Sequence, residues 1–131
     1  MCDWNRHYTF CPVRRYALSL LTMSAPSQHI IALCTCPDAP TATIIADKLV
    51  AESHAACVNI VPGVMSVYQW KNRIEQDEEL LLLIKTRRDC YPALEAMIQA
   101  LHPYELPEII TVSIEQGLTE YLKWIDQSVG K

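Results

Sequence analysis

Two cysteines, Cys34 and Cys36, stand one residue apart in the stretch "ALCTCPD". If this stretch is a strand, its period of two puts both thiols on one face, where they could bind a single ion. Thiolates suit copper(I) and zinc, whereas magnesium and calcium need oxygen ligands. Because cysteine is also a common small buried hydrophobe, metal binding and core packing are equally supported for Cys34. For Cys36 we favour packing or exposure, since the chain turns at Pro37 and would aim that side chain toward solvent.

A second candidate ligand is His102, in "HPY". It stands at the expected end of a helix, where the helix dipole stabilises an imidazolium and the residue can act as a simple cap. It can join Cys34 only if the end of its helix approaches the end of the first strand. Such a site needs deprotonated ligands, so its metal affinity should decrease as the pH is lowered. We expect copper affinity to depend most on Cys34, less on His102 and least on Cys36.

The composition limits the remaining function classes. The chain has 131 residues, half of them hydrophobic, which suits one domain with its own core. A formal net charge of -4 disfavours binding to nucleic acid or to an anionic membrane. The sequence contains no apolar run of about 18 residues, so it predicts no membrane span. It also lacks a glycine-rich phosphate motif and a nucleophile elbow, so we predict no enzymatic activity.

The six cysteines lack the spacing of small secreted proteins that are held together by disulfides. The sequence therefore predicts free thiols and a cytoplasmic location. Residues 1–28 show no sustained hydrophobic period. We interpret them as a disordered, dispensable N-terminal extension that precedes a single domain at residues 29–131.

Four segments have the composition of strands: "HIIALCTC", "AACVNIVPGVMSVYQW", "ELLLLIKT" and "PEIITVSI". The second strand should bend at Pro62-Gly63, because proline removes a ladder donor and glycine permits the turn. A polar connection, "KNRIEQDEE", is expected between the second and third strands. The third strand is apolar on both faces, which predicts a central position in the sheet.

Helical periodicity predicts three helices. Asp38 is the expected cap of the first, which should end near Ser53, and Asp89 the expected cap of the second, which should stop at Pro103. The apolar stripe of the C-terminal helix is Leu118, Tyr121, Leu122 and Ile125.

The order β-α-β-β-α-β plus a final helix predicts an α+β domain of the ferredoxin-like type. In this arrangement both crossover helices cover one face of an antiparallel sheet. The other face would stay bare in a single subunit. Since the strands are strongly apolar, we expect a partner to cover it, and a symmetric homo-oligomer is the simplest candidate.

Several motifs occur in an order that resembles the CutA family of divalent-cation tolerance proteins: "CTCPD", "CVN" with "PG", "Y-x-W", "HPYE-x-PE" and "YLKW". The resemblance runs from about His29 to Ser128. It implies a homotrimer, related in architecture to the PII signalling proteins, with a role in tolerance of metals, copper above all, and no established catalysis. Cys34 and His102 match the proposed copper ligands of the family. Some members carry a second histidine where this chain has Leu101.

The resemblance also implies a cleft between subunits. The matching positions here are Tyr68, Trp70, Lys85, Tyr104 and Glu108. A cleft with a lysine, a carboxylate and ring hydroxyls could hold a small anion or a metabolite. The alternative for Lys85 and Glu108 is an ion pair across the subunit boundary, and aromatic residues such as Tyr68 and Trp70 commonly serve packing.

Three hypotheses follow, in order of preference. The first is a metal-homeostasis trimer that binds copper or a similar soft metal, and the second is a PII-like sensor of a small molecule. The third is a trimeric scaffold for a partner protein. Copper titration separates the first hypothesis from the others, and ligand-dependent melting shifts test the second.

Overall fold

The computed structural model describes residues 25–131. Residues 1–24, which make up most of the expected extension, lie outside the described residues. The elements are β1 (His29–Cys36), α1 (Ala39–Ala51), β2 (Cys57–Trp70), β3 (Arg73–Arg87), a short 3₁₀ helix (Arg88–Cys90), α2 (Tyr91–Leu101), β4 (Ile109–Ser113) and α3 (Thr119–Ser128). The predicted element order is therefore confirmed.

The four strands form one antiparallel sheet in the order β2-β3-β1-β4. The third strand is central, as its two apolar faces indicated. β1 pairs with β3 along its whole length, from His29 opposite Arg87 to Cys36 opposite Leu80. The end of β1 therefore lies at the middle of the longer β3.

One face of the sheet carries the core. Every second residue of β1, from Ile30 to Cys36, is buried on this covered face, and helices α1 and α2 pack against it through Ile45, Leu49 and Ile98. The other face, called the open face below, carries apolar side chains with little cover. Ile110 and Val112 of β4 are 50% and 47% exposed there.

Of the two predicted helix caps, one is confirmed and one was wrong. Asp38 caps α1, since its Oδ1 accepts a hydrogen bond of 2.8 Å from the amide of Thr41. The prediction for Asp89 was wrong, because α2 begins after a 3₁₀ turn and its first residue is preceded by Cys90, which makes no side-chain cap. The carboxylate of Asp89 instead accepts from the guanidinium of Arg87 at 3.1 Å.

The expected nine-residue connection between β2 and β3 was also wrong. The turn consists of Lys71 and Asn72, both in the left-handed region with φ of 49° and 63°, and β3 begins at Arg73. A two-residue turn with positive φ matches the twist of the strands, so the polar residues that follow continue the ladder. Because β1 ends opposite Leu80, this part of the hairpin has only two strands.

The bend in β2 is confirmed. The ladder between β2 and β3 shifts its register between Val61 and Val64, and Gly63 between them has a φ of 76°. This positive φ is what the glycine permits.

Fewer side chains of the C-terminal helix are buried than its predicted apolar stripe indicated. Ile125 is fully buried and packs with Val129 against Ala56 and Cys90, whereas Leu118 is 75% exposed. The helix lies at the end of the sheet and has only a small partner surface within this chain.

The expected domain boundary at His29 leaves out two residues that contact the fold. The side chain of Arg88 donates to the carbonyl of Ser27 at 3.1 Å, and its amide donates to the carbonyl of Gln28 at 2.7 Å. Part of the segment before His29 is therefore held against the end of β3.

Candidate functional site

The first candidate site is at the end of β1, on the covered face. Cys34 and Cys36 lie on the same face, as the strand period predicted, and both side chains are completely buried. Of the two alternatives for Cys36, packing is therefore confirmed and exposure to solvent was wrong. The strand keeps its alternation through Cys36, so the turn at Pro37 comes too late to redirect that side chain.

His102 follows α2 and reaches the same place. A sulfur of each cysteine and one ring nitrogen of His102 all lie within 4.8 Å of one another, and His102 is only 7% exposed. The condition set for its participation, that the end of its helix approaches the end of β1, is met. We call Cys34, Cys36 and His102 the thiol–imidazole cluster.

Both ring nitrogens of His102 have protein partners. The amide of Tyr104 lies 3.1 Å from Nδ1 and can only donate, so Nδ1 is the unprotonated nitrogen. Nε2 therefore carries the proton and donates to the carbonyl of Thr35 at 2.7 Å. The imidazole is neutral, the form that a metal ligand requires, but it must give up one of these bonds to coordinate an ion.

The two thiols influence each other. A hydrogen bond to Cys36, together with burial, raises the pKa of Cys34 far above the ordinary thiol value, and the same bond lowers the pKa of Cys36. Cys36 is therefore the thiol that loses its proton first. The negative charges of Glu108 and Glu79 also raise the pKa of Cys34. A second thiolate in this place needs a positive charge beside it.

The donor set fits a soft metal. Two sulfurs and one nitrogen in a buried, water-poor position suit copper(I) or zinc, and no carboxylate takes part in the cluster as magnesium or calcium would require. If an ion binds, Cys34, Cys36 and His102 are the residues that would hold it.

The second candidate site is a cleft of about 740 Å³ on the open face, where the β2–β3 hairpin extends beyond β1. Tyr68, Trp70, Tyr104 and Glu108 line it, so the structure brings together four of the five residues expected there. We call it the aromatic cleft.

Lys85 is not in the aromatic cleft. It shares a strand face with Glu79, which lines the cleft, but six residues of strand separate them by about 20 Å. Its ammonium donates to the side chain of Asn59 and lies in another depression, beside Leu83 and Tyr121. Within one chain, the cleft therefore lacks the lysine that was expected to attract an anion.

Glu79 is the cleft residue that the sequence analysis missed. It is 5% exposed, and its Oε2 accepts a hydrogen bond of 3.0 Å from the hydroxyl of Tyr104. The hydroxyl of Tyr68 donates in a similar way to Asp77. The available signal was the period of two along the strand, which puts Glu79 on the same face as Leu81 and Leu83.

The comparison with protein families agrees with this geometry. A family model described as "CutA1 divalent ion tolerance protein" matches residues 30–128, about three quarters of the chain. This protein belongs to the CutA1 family. The motifs at both candidate sites lie inside the matched CutA1 region.

Relatives extend the match. The divalent-cation tolerance protein CutA of Thermus thermophilus is 46% identical over 100 residues, which cover 76% of this chain and 97% of that protein. Protein CutA of Mus musculus is 42% identical over 102 residues, which cover 78% of this chain and only 58% of the mouse protein.

Solved structures of the CutA1 family share the fold. The Thermus thermophilus structure has a TM-score of 0.77 at 45% identity and covers 78% of this chain and 99% of that one. The protein from Archaeoglobus fulgidus, described as a periplasmic divalent cation tolerance protein, has a TM-score of 0.76 at 36% identity, covering 78% of this chain and 99% of its own.

Proposed function

We propose that this protein contributes to divalent-cation tolerance by binding copper(I) or a similar soft metal at the thiol–imidazole cluster. The observation that carries the proposal is the convergence of two sulfurs and one imidazole nitrogen within 4.8 Å. The names of its relatives refer to tolerance of divalent cations, which agrees with a metal ligand set. No group in the proposal performs catalysis.

The chemistry of the cluster makes binding depend on pH. Each thiol must release its proton to bind the metal, and the imidazole must stay neutral. The raised pKa of Cys34 means that its proton leaves only when a cation compensates the second negative charge. Metal affinity should therefore fall as the pH is lowered, with proton release on binding.

The test is anaerobic competition for copper(I) between the purified protein and a chromophoric chelator. We expect Cys34→Ser and Cys36→Ser each to weaken binding by more than about 100-fold, since losing a group that merely orients a metal ligand already costs about 10–100-fold. His102→Ala should weaken binding by less than either cysteine variant. Because Cys36 is buried in the cluster, we now expect Cys36→Ser to weaken copper binding more than His102→Ala does.

The matched control is Cys57→Ser, which removes a thiol that is half-buried on β2 and outside the cluster. It should leave copper affinity unchanged. Equal affinity in the wild type and in Cys34→Ser would contradict the proposal and leave the two thiols as core residues.

The proposed assembly is a homotrimer. Two features support it: the apolar open face, and the part of the β2–β3 hairpin beyond Leu80, which is only two strands wide. A lone two-stranded ribbon is at best marginally stable in water, so packing against another subunit would stabilise it. Light scattering should give three times the chain mass at micromolar concentration, and a monomer would refute the trimer.

A cytoplasmic location remains part of the proposal. It is supported by Cys34, Cys36, Cys57 and Cys90, all free thiols in the structure. None of the helices within residues 25–131 has the length and apolar character to cross a bilayer. Labelling of intact cells against lysates with a thiol reagent would distinguish the compartments.

A second candidate function is recognition of a small molecule, in the manner of a PII-like sensor. The observation that favours it is the aromatic cleft, whose volume falls within the about 300–1,000 Å³ of small-molecule sites. Melting shifts against a panel of metabolites test it. A shift that disappears in Trp70→Leu would support the cleft as the binding site.

A further inference from the structure

The imidazole of His102 is held between two backbone groups. Its Nδ1 accepts a hydrogen bond of 3.1 Å from the amide of Tyr104, and its Nε2 donates one of 2.7 Å to the carbonyl of Thr35. The ring of Tyr104 also packs beside the imidazole, with 4.8 Å between the ring centroids. Both nitrogens that could bind a metal are therefore already in use.

These contacts do not depend on a second subunit. His102 is 7% exposed, and its partners Thr35 and Tyr104 belong to the same chain. The cluster that it joins lies on the covered face, beneath the helices, whereas the proposed trimer would cover the open face. We therefore expect the same bonds to His102 in a single chain and in an assembly.

Coordination through Nδ1 breaks the bond to Tyr104 directly. A metal binds a nitrogen through its lone pair, and the lone pair of Nδ1 is the acceptor of the Tyr104 amide. The amide must therefore leave before the metal can take its place. The bond from Nε2 to Thr35 can stay in this case, and it would orient the ring, as a backbone carbonyl commonly does for a metal-binding histidine.

Coordination through Nε2 breaks the same bond by another route. The metal then needs the lone pair of Nε2, so the one proton of the neutral imidazole has to move to Nδ1. There it would face the amide hydrogen of Tyr104, and two donors repel each other. The bond to Thr35 is lost as well, because Nε2 no longer carries a proton. Whichever nitrogen binds the metal, the amide of Tyr104 loses its acceptor.

The freed amide lies in the wall between the two candidate sites. Thr35, Pro103 and Tyr104 line the aromatic cleft, so both backbone partners of His102 belong to residues of the cleft wall. A partly buried backbone N–H costs free energy when it has no acceptor. Metal binding must therefore either admit water to this amide or shift the peptide that joins Pro103 to Tyr104. In both cases the occupied cluster changes the wall of the cleft.

We propose that the amide of Tyr104 competes with the metal for His102, and that metal binding releases this amide at the wall of the aromatic cleft. This regulation deepens the proposed metal-binding function, on which it rests. The competing bond lowers the affinity of the cluster, so that filling needs a higher concentration of free metal. By thermodynamic linkage, a ligand that binds in the cleft and holds the amide in place would weaken metal binding.

The first test is hydrogen exchange of single amides, measured by NMR on the full chain with and without copper(I) under anaerobic conditions. We expect copper(I) to accelerate exchange of the Tyr104 amide by about 2- to 10-fold, the effect of losing one hydrogen bond of ordinary net strength. The matched control is the amide of His102, which donates to the carbonyl of Ile98 at 2.8 Å and should keep its protection. In the metal-free protein, the ring-nitrogen signals of His102 should show the proton on Nε2.

The second test removes the donor itself. Tyr104→Pro and Tyr104→Ala both lose the tyrosine side chain, but only the proline variant lacks the backbone N–H. Copper(I) should bind Tyr104→Pro about 2- to 10-fold more tightly than Tyr104→Ala, since no bond to Nδ1 has to break. In a His102→Ala background the two substitutions should give equal affinity, which separates the loss of the donor from a change of backbone shape.

Three results would overturn the competition: an unchanged exchange rate of the Tyr104 amide in the copper(I)-loaded protein, a metal-free tautomer with the proton on Nδ1, or equal affinity of the two Tyr104 variants. If Tyr104→Pro does not fold, the exchange rate in the wild type decides. The proposed metal site fails by a different result, which is copper(I) affinity in Cys34→Ser equal to that of the wild type. Loss of binding in Cys34→Ser together with an unchanged Tyr104 amide refutes the competition alone.

Discussion

Thr35 separates two regions with opposite physical character at the end of β1. On the covered face, the thiol–imidazole cluster is dry, has every ring nitrogen hydrogen-bonded and belongs to the core. On the open face, the aromatic cleft is a cavity of about 740 Å³ whose lining includes the carboxylates of Glu79, Glu105 and Glu108. The cluster can accept an ion only by releasing protons or hydrogen bonds, whereas the residues that line the cleft lie outside the core cluster. Ligand exchange should therefore be slower and more selective at the cluster.

The largest expected effect comes from the covered face. Leu82 is fully buried and pairs with Cys34 across the ladder, so Leu82→Ala should lower the free energy of unfolding by about 2–5 kcal/mol. Leu106→Ala, in a cleft residue that is 72% exposed, should change it by less than about 0.5 kcal/mol. Urea denaturation of both variants measures the difference. Similar losses would mean that the cleft is as much a part of the core as the cluster.

A smaller effect separates the two regions at Tyr104, which contacts both. Tyr104→Phe removes the hydroxyl that donates to Glu79 but keeps the amide that donates to His102. The buried carboxylate then lacks its donor, which should cost about 1–3 kcal/mol of unfolding free energy. We expect copper(I) affinity to stay the same, because the bond to His102 is kept.

The control for this variant is Tyr91→Phe. The hydroxyl of Tyr91 also donates to a glutamate, Glu95, at 2.6 Å, but on a half-buried part of α2 where water can replace it. Its stability loss, measured by urea denaturation, should therefore be the smaller of the two. A change of copper(I) affinity in Tyr104→Phe would show that the two regions are coupled through the side chain of Tyr104.

The smallest effect concerns acid sensitivity next to the cluster. Hydrogen bonds from Thr41 lower the pKa of Asp38 below its ordinary value of 3.8. The resulting stabilisation is present above that value and is lost as the pH falls through the lowered pKa. Asp38→Asn keeps an acceptor that does not titrate, so its melting temperature should fall less than that of the wild type between about pH 5 and pH 3.

Asp47→Asn, on the exposed side of α1, serves as the control for acid sensitivity. It should follow the wild-type melting curve across the same pH range. If Asp38→Asn and Asp47→Asn respond alike, the cap does not account for the acid response of this region.

The cluster was predictable from the sequence to a useful extent, because it depends on local rules. A strand period of two places Cys34 and Cys36 on one face, and a helix that packs on that face brings His102, the residue after its end, near the end of the strand. What the sequence left open was whether Cys36 is buried or exposed, since this depends on where β1 ends relative to Pro37.

The cleft was less predictable, because it depends on how far apart residues of one face lie. Lys85 and Glu79 have the same orientation on β3, and orientation alone does not distinguish the two ends of a strand. The length of β3 was itself underestimated, since "KNRIEQDEE" is polar and its turn lacks the usual glycine. The predicted third strand began only at Glu79, so this residue stood at the boundary of the expected connection and nothing in the sequence placed it beside Tyr104.

The bend in β2 has a consequence for solubility. β2 is an edge strand of the sheet, and a long flat edge is a template on which further chains can add strands and grow into fibrils. Pro62 offers no amide hydrogen to an incoming strand, and the register shift between Val61 and Val64 breaks the regular spacing that such a strand would follow. The addition of a further strand along this edge is therefore interrupted near its middle, so the edge is a poor template for fibril growth.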